Sequence, residues 1–468
     1  MISLPGLNLA APPTETLSAP TSAITREQDL PANTEYRFEV AFSRTLTVRL
    51  RSGTAEYFGT ELAPSTTYSF QGTKGAIYTW HGCKLELGGE VESDYVAEET
   101  PMMSHANLHF ALEMLRDKSV ASNSEEMGPR VLVVGAENAG KTALVKTLTS
   151  YAVKSGRQPM VVNLDPRQGM LSVPGTFSAA AFSSIVDVEE GWGSSPISGP
   201  SPIPVKMPLV YHYGLKDPEE GKLFKPLVTR MALAVLSRLE KDTASKQAGF
   251  IIDTAGSISG GRGGVYDNIE HIVSEFSVNI LITLGSERLY SDLTKRSSPR
   301  SGAQDEPVTV LRIDKSGGCV DRSDDYMKSL RHAQIREYFF GHGEDALAPS
   351  SMTADYADLN IFQIVEGDDS AFAAGDYDPL SAGAGGKELY TRVSPSAGLT
   401  NKLLAITTAS PNDKHEVIRD SSVRGYIYVA DVDEAKRKVR LLSPQPGHLP
   451  GSAMVLGRWP EDVAGLVS

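Results

Sequence analysis

The chain is poor in cysteine. Its two residues, Cys83 and Cys319, stand far apart and in no ligand spacing. That excludes a disulfide framework and a zinc cluster, fits a reducing compartment, and leaves two ordinary buried thiols. Long apolar runs are also missing, none approaching the roughly 18 residues of a membrane span. Without a basic n-region or an uninterrupted apolar h-region at the start, the expectation is a soluble, non-secreted protein with no membrane partner. Positive charge is in deficit, with 45 Lys and Arg against 58 Asp and Glu and a net charge of −13. A broad nucleic-acid-coating role is excluded on that balance, while a local basic groove is not. What the chain does have is length: 468 residues, enough for about three domains of roughly 150 each and a sizeable core.

Composition shifts divide it. Residues 1–25 are rich in Pro, Ser, Thr and Ala with almost no charge, the text of a flexible arm. Residues 26–120 form an N-terminal β-domain, because short alternating segments such as Tyr36-Arg37-Phe38-Glu39-Val40 and Leu46-Thr47-Val48-Arg49-Leu50 recur between Gly and Ser-Thr clusters. Ser104 is placed as the cap of a helix carrying Leu108, Ala111, Leu112 and Leu115, followed by a polar linker from Ala121 to Pro129. Residues 121–345 alternate buried strands (Val131 to Val134, Met160 to Val162, Gly249 to Ile252, Val278 to Leu284) with helices, which predicts a parallel α/β sheet. Residues 346–468 read as a small β-rich C-terminal domain, with Val423 to Val429 and Lys438 to Leu442 as paired strands. The Pro/Ser/Gly-rich segments 193–204 and 296–307 read as surface insertions, and 366–387 as low complexity. The fold class is therefore α/β: a central P-loop NTPase parallel sheet flanked by an N-terminal β-sandwich and the C-terminal domain.

The chemistry centres on Gly135-Ala136-Glu137-Asn138-Ala139-Gly140-Lys141-Thr142, with Ala143 after it, a G-x-x-x-x-G-K-[ST] loop between a predicted strand and a predicted helix. Glycines let backbone N–H groups close round a β-phosphate, the helix N-terminus adds its positive end, Lys141 bridges to the γ-phosphate and Thr142 ligates Mg2+. A metal site needs a carboxylate, and two end apolar runs: Asp165, taken as the ligand, and Asp253 as the competitor. Asp253-Thr254-Ala255-Gly256 also looks like a GTPase switch, but no N/T-K-x-D base-reading tetrapeptide follows downstream.

With Asp165-Pro166-Arg167-Gln168-Gly169, Ser172-Val173-Pro174-Gly175-Thr176, Glu287-Arg288-Leu289-Tyr290 and Ile335-Arg336-Glu337-Tyr338-Phe339, the P-loop resembles the eukaryotic polynucleotide 5′-hydroxyl-kinase family. Within it the likeness is to the Clp-type ATP-binding subunits of the fungal pre-mRNA cleavage and polyadenylation machinery. Thr34-Glu35-Tyr36-Arg37-Phe38-Glu39, Ala55 to Leu62 and Thr79-Trp80-His81-Gly82-Cys83 extend it into the N-terminal domain. The resemblance implies ATP with its base against Glu35 and Lys74, Mg2+ at Thr142 and Asp165, and a first lid arginine at Arg322. It also implies a nuclear location and partnership with other cleavage-factor subunits, above all the scaffold that binds the RNA polymerase II tail, with RNA contact weak or indirect. Three departures argue against turnover: Ser257 where active relatives place a substrate-clamping aromatic, Met327 at the second lid arginine, and Arg167 where they have glycine. Arg167 is expected to pair with Asp165 and occlude the site. No catalytic residue is then expected, Asp165 and Arg322 being vestigial; the alternative is an active ATP-dependent RNA 5′-hydroxyl kinase.

Overall fold

A computed structural model describes residues 25–193, 195, 207–218, 222–261, 265–297, 307–343, 345–365 and 389–467. The arm 1–24, most of both insertions (196–204 and 298–306) and the low-complexity segment 366–387 lie outside these.

Alternation in the N-terminal text folds as two facing antiparallel sheets. One has four strands, Arg26–Leu30, Cys83–Gly89, Leu46–Gly53 and Thr67–Phe70 in spatial order; the other has five, running from Thr60–Glu61 through Glu56–Tyr57, Lys74–Thr79 and Thr34–Glu39 to Ser93–Ala97. Successive side chains of a strand point to opposite faces. In Thr34–Glu39 that sends Tyr36 and Phe38 into the sandwich core with Leu46, Val48, Leu50 and Ile77. Glu35, Arg37 and Glu39 take the other face, which looks onto the central domain.

The linker helix starts at Met102, earlier than Ser104 would cap it. The Thr100 hydroxyl accepts the Met102 N–H instead. Its buried stripe is His105, Leu108, His109, Leu112 and Arg116, so Ala111 and Leu115, expected inside, face outward. Leu108 and Leu112 pack with Leu144, Val145 and Leu148 of the P-loop helix, Lys141–Lys154.

The central sheet is mixed, which corrects the all-parallel expectation. Its order is Leu209–His212, Thr176–Ala181, Met160–Leu164, Phe250–Thr254, Arg130–Gly135, Ile280–Leu284 and Thr309–Ile313. The last five are parallel, and the first two join antiparallel at one edge. Thr176-Phe177-Ser178-Ala179-Ala180-Ala181 carries one large apolar side chain, so hydrophobic patterning did not betray it. The P-loop strand Arg130–Gly135 is buried along its whole length, as a parallel strand covered on both faces must be. The C-terminal domain is a seven-stranded sheet whose predicted hairpin, Val423–Asp433 with Lys438–Ser443, is present and antiparallel. Its tail, Gly457 to Glu461, turns back onto the central domain: the Trp459 indole Nε1 donates to the Pro166 carbonyl at 3.2 Å.

Candidate nucleotide site

The P-loop leaves its strand at Gly135, whose N–H donates to Ser259 Oγ at 3.0 Å, and enters its helix at Gly140. Gly140 has φ +93°, and a Cβ there would lie 2.9 Å from Cys319 Sγ, so the position needs glycine on both counts. Lys141 is buried, its Nζ donating to the carbonyls of Gly135 (3.0 Å) and Ala136 (2.8 Å). Burial lowers its pKa, and the nearby Asp253 and Asp165 carboxylates oppose that.

Thr142 Oγ1 donates to Asp253 Oδ2 at 2.6 Å. The carboxylate beside the helix start is thus Asp253, the competitor of the sequence reading. Asp165 sits nearby with Oδ1 accepting the Arg167 N–H at 3.0 Å. Burial pushes Asp253 up to about 6, against the pull of Thr142 and Lys141, and it raises Asp165 too. Two buried carboxylates and a threonine hydroxyl are hard oxygen donors of the kind Mg2+ takes, and such an ion would relieve the charge that burial disfavours.

The Arg167 side chain departs from expectation. Its backbone N–H donates to Asp165, while the guanidinium forms ion pairs of 2.5 Å each with Glu137 and Asp217 rather than with Asp165. It still lies at the cavity wall. Arg322 bridges the P-loop to the Asp165 loop, Nε to Asn138 Oδ1 at 3.0 Å and Nη1 to Gln168 Oε1 at 3.1 Å. Met327 lines the cavity from the helix Asp324–Phe340. One turn on, Arg331 also reaches its edge, but its guanidinium is held by Glu461 (Nε to Oε2, 2.9 Å) and stacks 4.4 Å from the Trp459 ring. Ser257 is exposed and lines no part of the cavity.

Lys141, Thr142, Asp165, Arg167, Arg322 and Met327 edge one cavity of about 320 Å3, closed on its far side by Glu35, Arg37 and Lys74 of the N-terminal sandwich. The Glu35 Oε1 is held at 2.5 Å by Arg37, and the Lys74 ammonium pairs with Glu39 and lies 5.2 Å from the Tyr326 ring. A second cavity of about 1140 Å3 adjoins it beside Thr142, Asp165 and Asp253. Sequence reasoning missed Arg37, whose alternation with Glu35 on one strand face was the available signal, and Ser259 and Trp459, which act through partners remote in the chain.

Three family models match, together covering most of the chain: the N-terminal beta-sandwich domain of polyadenylation factor over residues 29–119, the mRNA cleavage and polyadenylation factor CLP1 P-loop over 135–341, and the pre-mRNA cleavage complex II protein Clp1 over 347–461. The mRNA cleavage and polyadenylation factor CLP1 of Phaeosphaeria nodorum is 76% identical over the full length of both chains. This chain belongs to the Clp1 family of mRNA cleavage and polyadenylation factors. Its Clp1 relative in Botryotinia fuckeliana is 50% identical over 98% of each chain. Among solved structures, a Clp1p–Pcf11p complex describing the basis of ATP loss in a glycine-to-arginine point mutant matches with TM-score 0.82 at 31% identity, covering 93% of this chain and 98% of that one. The wild-type Clp1p–Pcf11p complex matches with TM-score 0.80 at 32% identity, covering 93% and 97%. The Clp1 P-loop match begins at Gly135, the first residue of the loop described above.

Proposed function

We propose that the chain is an ATP-holding, non-catalytic subunit of the nuclear pre-mRNA 3′-end cleavage and polyadenylation complex, in which ATP with Mg2+ braces the N-terminal domain against the central one. One observation carries this reading. Glu35 and Lys74 at one end of the cavity come from the sandwich, whereas Lys141 and Thr142 at the other come from the P-loop domain. A ligand that binds only the assembled arrangement stabilises it by mass action, by about 4 kcal/mol at a thousandfold excess over Kd. In this reading Thr142 with Asp253, joined by Asp165, would hold the Mg2+, whose chemistry is to offset phosphate charge.

The acceptor side supports capture over transfer. A methionine stands where a second cation would neutralise charge, a kind of loss worth about 10³ or more in rate. Arg331 one turn away is taken by Glu461, and Ser257 offers no aromatic face. The alternative, an RNA 5′-hydroxyl kinase, draws on the larger cavity beside Asp165.

Solved relatives are described with Pcf11p. We place a scaffold subunit of that kind, one that also binds the polymerase tail, on this chain, together with other cleavage-factor subunits; the net charge of −13 fits weak or indirect RNA contact. The test is co-purification of that scaffold with the full chain and with Lys141→Ala. Reduced capture by the variant, restored by no added RNA, is expected; equal capture by both would remove the bracing role.

A further inference from the structure

We infer that Arg37 is the positioning residue that makes Glu35 a reader of the purine 6-position, setting a preference for adenine over guanine nucleotides and linking the base end of the cavity to the loop above the P-loop. This deepens the ATP-site reading and rests on it.

Arg37 lies one strand alternation from Glu35, on the same cavity-facing side. Its Nε and Nη2 both approach Glu35 Oε1, at 2.5 Å, and no hydrogen bond reaches Oε2 among the described residues. The carboxylate therefore presents one saturated oxygen and one free acceptor. An acceptor pairs with the 6-amino group of adenine and repels the 6-oxo group of guanine or hypoxanthine. Arg37 is itself fixed from three directions. Nη2 donates to the Glu99 carbonyl at 2.6 Å and its carboxylate at 3.0 Å, the ring of Tyr95 lies 5.7 Å from the guanidinium carbon, and Ser316 Oγ stands 3.4 Å from Nη2.

The last contact crosses between domains. Gly317 N–H donates to Glu99 Oε2 at 3.2 Å, and a Cβ at Gly318 would lie 2.6 Å from Arg37 Nε, so the loop packs directly on the guanidinium. The same loop puts Cys319 against Gly140 and continues to Arg322 on Asn138. A base seated on Glu35 thus bears on the guanidinium that supports the loop over the phosphates. The charged or titratable groups facing Glu35 are Arg37, Glu99 beyond it, Tyr78 of the paired strand and Cys319 of the loop. Of these only Arg37 is a cation, and it touches Glu35, while Lys74 at the same end of the cavity is paired with Glu39. Burial favours the protonated Glu35 carboxyl and Arg37 opposes it; without Arg37 nothing on the strand holds Oε1, so the carboxylate loses its fixed orientation and Oε2 its aim at the 6-position.

The test is direct binding of ATP, GTP and ITP to the nucleotide-stripped full chain, ITP carrying the 6-oxo group without guanine's amino group. Wild type is expected to bind ATP at least about tenfold more tightly than ITP or GTP, the worth of one hydrogen bond and its lost partner. Arg37→Gln should narrow that ratio to within about threefold, and Arg37→Lys, which keeps the charge, should recover most of it. Glu35→Gln, whose amide can donate or accept, should also abolish the preference, and decides the matter if Arg37→Gln does not fold. A merely structural Arg37 would weaken ATP and ITP in parallel and leave the ratio unchanged, which overturns the proposal, as does a wild type without preference. Wild type that binds no nucleotide at all overturns the ATP-site reading itself.

Discussion

Thr142 and Asp253 join the first turn of the P-loop helix to the C-terminal end of the neighbouring strand through a 2.6 Å hydrogen bond. That bond sits in a buried triad of charge, the Lys141 ammonium with the Asp165 and Asp253 carboxylates. Arg167 and Arg322 add to Lys141 around Asp165, whereas Asp253 is met by Lys141, and a divalent ion can meet the charge that remains on it.

The first prediction concerns pH. Asp253 has a folded-state pKa of about 6 against an ordinary 3.8, because burial disfavours its charged form. The folded state holds this proton more tightly than the unfolded one, so the group's contribution is full below about pH 3.8 and is lost as pH rises through about 6. Between these values the nucleotide-free protein should lose up to about 1.4 kcal/mol of stability per pH unit from this group. Thermal melts of wild type and Asp253→Asn from pH 4 to 7 check it: the variant's profile should be flatter, and parallel profiles would be inconsistent with a buried acid here.

Cys319 provides a built-in reporter. Its thiol is half-buried and its pKa is raised by that burial, and it lines the cavity beside Gly140, whereas Cys83 is buried in the sandwich core. ATP should slow iodoacetamide labelling of Cys319 by about tenfold or more by closing access to it. Mass spectrometry of the labelled peptide reads this, and unchanged labelling at saturating ATP would place the nucleotide elsewhere.

The C-terminal tail should matter to the central domain. Trp459 stacks on Arg331 at 4.4 Å, lies 5.5 Å from the Lys216 ammonium and donates to the Pro166 carbonyl. Trp459→Ala removes two cation–π contacts and a hydrogen bond, together about 2 kcal/mol. Denaturant titration should show a loss of that size; wild-type stability would mean that the tail is not docked.

Local signals made much of this legible. The Gly135 to Thr142 spacing, the alternation of Tyr36-Arg37-Phe38-Glu39 and the hairpin at Val423 each depend on neighbours within a few residues. The edge strand Thr176–Ala181 escaped because its small side chains give no pattern. Arg167 was misjudged for a different reason: Asp217, one of its two anion partners, lies fifty residues away and is brought close only by the antiparallel edge of the sheet. Trp459 reaches Pro166 across nearly three hundred residues, a contact no local reading can supply.

Lys141→Ala should leave the fold intact and weaken ATP binding by about 100-fold, since it removes one charge-assisted contact to phosphate while its present partners are backbone carbonyls. Calorimetry on stripped protein reads this, and wild-type affinity in the variant would remove Lys141 from the site.

The central claim is capture without turnover. The protein is purified without added nucleotide and denatured, the released ligand is identified, and the same preparation is assayed for phosphate transfer to a 5′-hydroxyl RNA oligonucleotide. The account predicts near-stoichiometric intact ATP and no labelled RNA. Labelled RNA that disappears with Lys141→Ala would contradict it and make the protein a working RNA kinase.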